Sequence, residues 1–431
     1  MLPPREPGTF TDRCMNCLIA AEGQLGHSDA ARPTRRQAIL GRANRRRREG
    51  ETVEFMAEER RALRALLPGL DEQLAELQPE LLESLESPAI ELFRGAGGAG
   101  LLVPREHRGT GASACDALRV QRAIGARSPS LAVATTMHHF SVATLVEFCR
   151  RTQGLEWMLL QAIAERGLLL ASGFAEGTHG QGVLRPTMRG RRDGAVVVLN
   201  GSKRPCSLAR SMDILTAAVV VEEGGPDGED ELAIALVSAR LPGVEVAPWW
   251  GTPLLAGAQS DAVTLRDVAV ERELVVPFSS AGAPGLDAIQ TAGFLWFELL
   301  ITAGYLGMAS ALVERLLREG RGDAATRMAA AGELESTMTA LEGLACQLGD
   351  EQVAQDDLLT RALLCRYSAQ DAINRSTTLA LERLGGMAFI GSWEAGYLAA
   401  ASKALAFHPP GRAAAAAAVD AALRGAPLTI D

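Results

Sequence analysis

Apolar residues recur at helical spacing along most of this chain and give way once, near its middle, to short β-rich runs. From Ala57 the helical period is clear: Leu63, Leu66, Leu67 and Leu70 share a face, and Leu74 and Leu77 continue it. A second helix is predicted near 90–94. The Gly-rich stretch 95–100 has no phosphate-loop pattern and reads as a helix end. After Ala288, the residues Phe294, Phe297, Leu300, Ile301, Gly304, Gly307 and Met308 follow one face of a long helix, with small residues that permit close approach. Further helices are predicted over 324–348, 358–384, 394–407 and, Ala-rich, 412–423.

The central runs, 168–171, 195–199 and 214–221, are punctuated by Gly clusters and by Asn200-Gly201, which reads as a hairpin turn. In 254–270 the alternation places Val263 and Leu265 on one face of a strand. The predicted class is α+β, mainly α: a helical N-terminal domain, a small central β-barrel-like domain and a C-terminal four-helix bundle. The expected boundaries are 51–167, 168–280 and 285–425, preceded by a disordered basic tail over 1–50.

Composition sharpens this picture. The chain has 431 residues, 47% of them hydrophobic but only 4% aromatic, so packing must lean on Ala, Leu and Val, which suits helices. Seven Cys, an odd number scattered along the chain, point to a reducing compartment. No 18-residue apolar span and no signal-peptide pattern is read from the sequence, so a soluble cytoplasmic protein is expected. The net charge is −9, yet residues 1–50 hold ten Arg against five acidic residues; the more acidic remainder disfavours a nucleic-acid partner. Arg45 to Arg48 belong in solvent. Cys14 and Cys17 have metal-type spacing with His27 nearby, but three ligands are too few for a closed zinc site. Met56 stands just before the first helix, so the preceding stretch reads as an upstream extension.

The middle of the chain resembles the acyl-CoA dehydrogenase superfamily. The residues that carry the resemblance are Ala175-Glu176-Gly177-Thr178-His179-Gly180-Gln181-Gly182, then Asn200-Gly201-Ser202-Lys203-Arg204-Pro205-Cys206-Ser207, then Asp213. Leu101-Leu102-Val103-Pro104-Arg105-Glu106, with the glycines that follow, and Asp267-Val268-Ala269-Val270 are similar to further stretches of that family. The resemblance implies a flavin, FAD in most relatives, resting on strand ends at Phe174-Ala175 and at Pro205 and Ser207. It implies phosphate contacts at Gln181 and, from a neighbouring subunit, at Glu382 ahead of Gly385-Gly386. It also implies a homodimer or homotetramer built through the bundle, and an acyl thioester or similar small-molecule substrate.

Several of these positions depart from the family pattern. Pro205 replaces a Trp and removes a backbone donor. Gln181 and Gly182 replace Ser and Asp. Arg318-Glu319-Gly320-Arg321-Gly322-Asp323 lacks the Phe of the family's Arg-x-x-Phe-Gly. FAD, FMN and loss of flavin therefore stay open. The family's late catalytic Glu aligns with Pro409. An alternative base position aligns with Phe297, and Glu298 beside it is turned about 100° around the helix.

His408, with Ser207, resembles the pair found in the flavin monooxygenase branch of the superfamily. A second reading makes His408 a helix C-terminal residue favoured by the macrodipole. His138-His139 read as a satisfied core-edge pair, Cys206 as a thiol without an adjacent activating His, and Glu176 as a loop-structuring carboxylate. Three functions follow: a flavin oxidoreductase of specialised acyl substrates, a monooxygenase using Ser207 and His408, or a flavin-less homologue with a non-redox role.

Overall fold

The computed structural model describes residues 54–152, 156–177, 185–222, 229–277, 288–350 and 352–430. The basic tail with Cys14, Cys17 and His27, and the loop residues His179 and Gln181, lie outside them.

The chain opens with α1 (Ala57–Leu66), α2 (Leu70–Glu76), α3 (Pro79–Leu82) and α4 (Ala89–Gly95). Two longer helices follow, α5 (Ala114–Arg127) and α6 (Pro129–Thr152), then α7 (Trp157–Arg166). Ser113 caps α5 by accepting the Asp116 N–H, and Pro129 starts α6, where its missing N–H costs nothing. Leu63, Leu67, Leu70 and Leu74 are fully withdrawn from solvent, as their spacing predicts.

The sheet comprises β1 (Leu170–Gly173), β2 (Arg189–Asp193), β3 (Val196–Cys206), β4 (Ile214–Glu222), β5 (Glu231–Ser238), β6 (Val244–Ala247), β7 (Asp261–Glu271) and β8 (Val275–Pro277). Its order is β6-β7-β3-β2-β4-β5-β8, with β1 running parallel along β4 from Leu170 opposite Ile214 to Gly173 opposite Ala217.

Asn200-Gly201 does not make a hairpin turn. It lies inside β3, where the register against β7 slips between Leu199 and Gly201. Asn200 accepts the Asp267 N–H and donates to the Asp267 carboxylate across the ladder. Gly201, with φ of 147°, leaves no room for a Cβ beside Met188. The extra residue lies on β7, where Arg266 and Asp267 stand opposite Asn200 alone, a β-bulge that bends that strand. The same slip moves β7 from burying Val263 and Leu265 to burying Val268 and Val270.

The C-terminal half holds α8 (Ala288–Arg318), α9 (Ala324–Ala345), α10 (Gln355–Leu384), α11 (Gly386–Gly391), α12 (Trp393–Ala401) and α13 (Arg412–Leu423). The helix expected over 394–407 ends at Ala401, and the chain tightens into a 3₁₀ segment, Ser402–Phe407, before His408. The reading of no long apolar span also needs correction. Helix α8 is long and apolar enough to cross a membrane by length and composition, but 89% of its most apolar window is buried inside the protein. It is the core helix against which the N-terminal layer and the bundle both pack.

That packing is backbone against backbone. A Cβ at Gly125 would lie 2.1 Å from the Gly304 carbonyl oxygen, and one at Gly307 2.1 Å from that of Arg122. Beside this contact, the fully buried Arg122 guanidinium pairs with Glu59 and Glu335 at 2.6 Å each, tying α1, α5 and α9 to Ser310 of α8.

Candidate active site

Helices α6 and α8, the strand ends and the turn after the 3₁₀ segment enclose a cleft of about 940 Å³, counted to its open mouth. Phe174 and Ala175 reach it just beyond β1, Pro205 and Ser207 at the end of β3, and His408 and Pro409 from the opposite side. These are six of the residues singled out in the sequence, brought from three distant stretches to one place. Met137, Phe140 and Thr144 of α6, and Gly293, Phe294 and Phe297 of α8, complete most of the wall.

Local chain geometry explains why the strand ends converge. The Arg204 N–H donates to the Ala175 carbonyl at 2.8 Å, which ties β3 to the segment after β1. Beneath that tie, Lys203 is fully buried and its Nζ lies 2.6 Å from Glu176 Oε1. Burial works to raise the Glu176 pKa, but hydrogen bonds from Lys203 and Thr187 overcome it and hold the carboxyl at about 2. Glu176 also accepts the Thr187 and Met188 N–H groups, so it fastens the loop across to the segment that enters β2.

The walls are aromatic. Phe140 meets Phe297 edge-on at 5.6 Å and Phe174 at 6.4 Å, and Phe297 meets the His408 ring at 6.0 Å. Ser207 Oγ lies 2.9 Å from Ser260 Oγ. Two hydroxyls sharing one hydrogen bond keep a second proton to give, so Ser207 can still donate to a cleft ligand. His408 Nε2 lies 2.9 Å from the Tyr305 hydroxyl, and among the described residues its Nδ1 has no hydrogen-bond partner. Burial, reinforced by the Arg366 charge, pushes the His408 pKa down to about 3, so the imidazole is neutral near pH 7. Tyr305 is pushed the other way by burial and keeps its proton.

Other candidates fall elsewhere. Glu298 does not line the cleft; it is buried behind it against Arg366, and burial lifts its carboxyl to about 7 despite that cation. Glu382, Gly385 and Gly386 stand at the far end of α10, away from the cleft wall, with Glu382 and Gly386 exposed. Cys206 is fully buried and its thiol is raised by burial to about 12, too high for a nucleophile. His138 is satisfied by the Ala99 carbonyl and the Leu170 N–H, whereas His139, equally buried, has no partner for either nitrogen among the described residues. Sequence reasoning missed Tyr305 and Arg366. Tyr305 falls eight residues after Phe297 on the helix already traced, which was a usable signal; Arg366 gave none.

The cleft fits the ring system of a flavin. Flat aromatic side chains wall it, Thr144, Ser172, Ser207, Gln290 and the neutral His408 supply its polar points, and no Asp, Glu, Lys or Arg is among its described lining residues.

No protein-family model matches the chain. It is 44% identical over 368 residues to isobutylamine N-hydroxylase of Streptomyces viridifaciens, covering 85% of this chain and 97% of that enzyme. Its fold is similar to nitrososynthase from Micromonospora carbonacea, with a TM-score of 0.72 at 18% identity, covering 88% of this chain and 99% of that one. FMN-bound TdsC from Paenibacillus gives a TM-score of 0.70 at 18% identity, covering the same 88% and 99%. The chain therefore belongs to the flavin-dependent enzymes of the acyl-CoA dehydrogenase fold, as a divergent member akin to isobutylamine N-hydroxylase, and is a flavin-dependent oxidoreductase.

Proposed function

We propose that this protein is a flavin monooxygenase that hydroxylates a small, apolar amine at nitrogen, with FMN as its flavin. One observation carries the reading: among the described residues no carboxylate lines the cleft, and its polar lining, which includes Ser207 and His408, is uncharged. Dehydrogenation of an acyl thioester needs a base within hydrogen-bond reach of the α-carbon. Pro409, which stands where the resemblance puts that base, offers none. Nitrogen hydroxylation needs no such carboxylate: amine, dioxygen and reduced flavin give hydroxylamine, oxidised flavin and water. The name of the 44% identical relative supports the same chemistry, and FMN is the flavin in the TdsC structure.

Bound flavin supplies the activation of dioxygen; the chain supplies the surroundings. Phe140, Phe174, Phe294 and Phe297 exclude water and favour an amine in its neutral, nucleophilic form, since no carboxylate is among the described lining residues to pair with an ammonium. Ser207 orients the ring through its spare hydroxyl proton. His408, neutral and backed by Tyr305, accepts a hydrogen bond from the amine N–H at Nδ1 and so orients the nitrogen lone pair.

A homo-oligomer through the bundle is part of this reading. Met387, Phe389 and Ile390 on α11 are 80%, 58% and 79% exposed beside the Gly385-Gly386 pair, an apolar surface that a second copy would cover.

The test combines purified protein, FMN, a flavin reductase and a primary alkylamine under isotopically heavy dioxygen. The expected product is a hydroxylamine carrying one heavy oxygen, with a loss of about 10²–10⁴-fold in His408→Ala. Bleaching of the bound flavin by an acyl thioester without dioxygen would overturn the reading in favour of dehydrogenation.

A further inference from the structure

Behind His408 lies a pair of ions with no direct view of the cleft. Arg366 on α10 and Glu298 on α8 are both fully shielded from solvent, with Arg366 Nε 3.0 Å from Glu298 Oε2. The N–H is not aimed along that line: neither Nε nor either carboxylate oxygen makes a hydrogen bond. The terminal guanidinium nitrogens are used elsewhere. Nη1 donates to the Pro409 carbonyl at 3.3 Å and Nη2 to the Pro410 carbonyl, which also accepts from the Tyr367 hydroxyl at 3.0 Å.

These carbonyls belong to the two residues that follow His408. A buried ion pair is weak support for a fold, because removing both charges from water offsets most of their attraction. Here the poor alignment of the pair weakens that support further. The guanidinium is oriented by the turn, and the carboxylate serves to balance it.

We propose that Arg366, balanced by Glu298, is the positioning residue for His408: it clamps the Pro409-Pro410 turn and holds a fixed positive charge beside the imidazole. This rests on the reading of His408 given above. The clamp sets where the ring sits, together with Tyr305 from the other side. The charge opposes protonation of the ring and adds to the effect of burial. Of the titratable groups on the packed helices, Tyr305 on α8 bonds the ring and Arg366 on α10 acts on it by charge, with Glu298 behind Arg366 and Tyr367 on the Pro410 carbonyl; α6 and the strand ends bring Phe140, Phe174 and Ser207 to the same cleft.

Two variants and two readouts test this. The first readout is the His408 ring pKa, followed by NMR in the flavin-free protein; the second is kcat and KM of the flavin-loaded enzyme. Arg366→Lys keeps the charge and loses the fork, so kcat should fall about tenfold or more while KM stays within about threefold. In the double variant Arg366→Met/Glu298→Gln, which leaves no lone buried charge, the His408 pKa should climb toward the ordinary value of about 6.5 and kcat should fall as well. A folded double variant that keeps either the parent His408 pKa or the parent kcat overturns the proposal. If the double variant does not fold, Arg366→Lys decides alone, and a kcat within about twofold of the parent overturns it. An active His408→Ala enzyme would instead sink the underlying reading of the site.

Discussion

The Tyr305 hydroxyl and His408 Nε2 lie 2.9 Å apart, joining the middle of α8 to the first residue after the 3₁₀ segment. This bond fixes one ring nitrogen and leaves the other for the cleft. Tyr305→Phe therefore leaves a shielded nitrogen unpaired. Expected are a stability loss of about 1–3 kcal/mol in denaturant unfolding and a kcat reduced about tenfold with flavin affinity unchanged. Unaltered kcat in a folded Tyr305→Phe enzyme would show that the bond has no part in turnover.

The depressed pKa of His408 has a visible consequence. A ring that protonates only near pH 3 stays neutral across pH 5 to 8, so NMR should find one histidine that does not titrate in that range because of its cleft position. His138 and His139 behave alike, burial pushing the first to about 4 and the second well below its ordinary value, so His408→Asn is needed to assign the signals. Since burial favours the neutral ring, His408 costs stability progressively as pH falls below the unfolded value of 6.5 toward 3.

Glu176 and Lys203 respond to acid in a related way. With its folded pKa at about 2 against an unfolded 4.5, Glu176 stabilises the fold fully above about pH 4.5, and that contribution drains away as pH falls to about 2. Lys203, whose pKa burial lowers, gives some of this back. Glu176→Gln strands a buried ammonium and should cost about 3–5 kcal/mol, whereas Glu176→Gln/Lys203→Met should recover much of it. Equal losses in the two variants, measured by urea unfolding, would refute the coupling.

Cys115 at the start of α5 and Cys346 just past α9 bring their sulfurs to 3.3 Å. Both thiols are reduced, and burial followed by the Cys346 neighbour pushes the Cys115 pKa up to about 11. Diamide, which accepts two hydrogens from a thiol pair, should join them. Thiol counting would then fall by two, and the melting temperature should rise until dithiothreitol is added. The closed loop spans 231 residues, long enough for an entropic gain of about 4–5 kcal/mol at most. Persistence of the rise in Cys346→Ser would assign it elsewhere.

Much of the helical frame was legible because α1 and α8 carry apolar residues at helical spacing and α13 is almost all alanine. The strand ends were legible too, since Phe174, Pro205 and Ser207 sit within a local motif. What failed was non-local. Asn200-Gly201 has turn chemistry, but the pair continues β3, where Asn200 bonds the backbone and side chain of Asp267 at a bulge in β7. Arg366 sits in the run Leu363-Leu364-Cys365-Arg366-Tyr367, which marks it only as a charge among apolar residues; the folding of the Pro409-Pro410 turn onto α10 makes it a buried clamp. Glu298 was noticed for its neighbour Phe297, and the turn of the helix places it behind the wall rather than in it.

Gly125, Gly304 and Gly307 let two helices touch without side chains between them. Helix α6 folds back on α5 at the extended Ser128, and α8 carries the opposite wall of the cleft, where a Cβ at Gly293 would lie 2.7 Å from Thr144 Oγ1. The calibre of the reaction chamber is thus gauged by hydrogen atoms well away from its mouth. A single methyl at position 125 or 307 would act as a shim, prising the chamber ajar and admitting water to chemistry that depends on its exclusion.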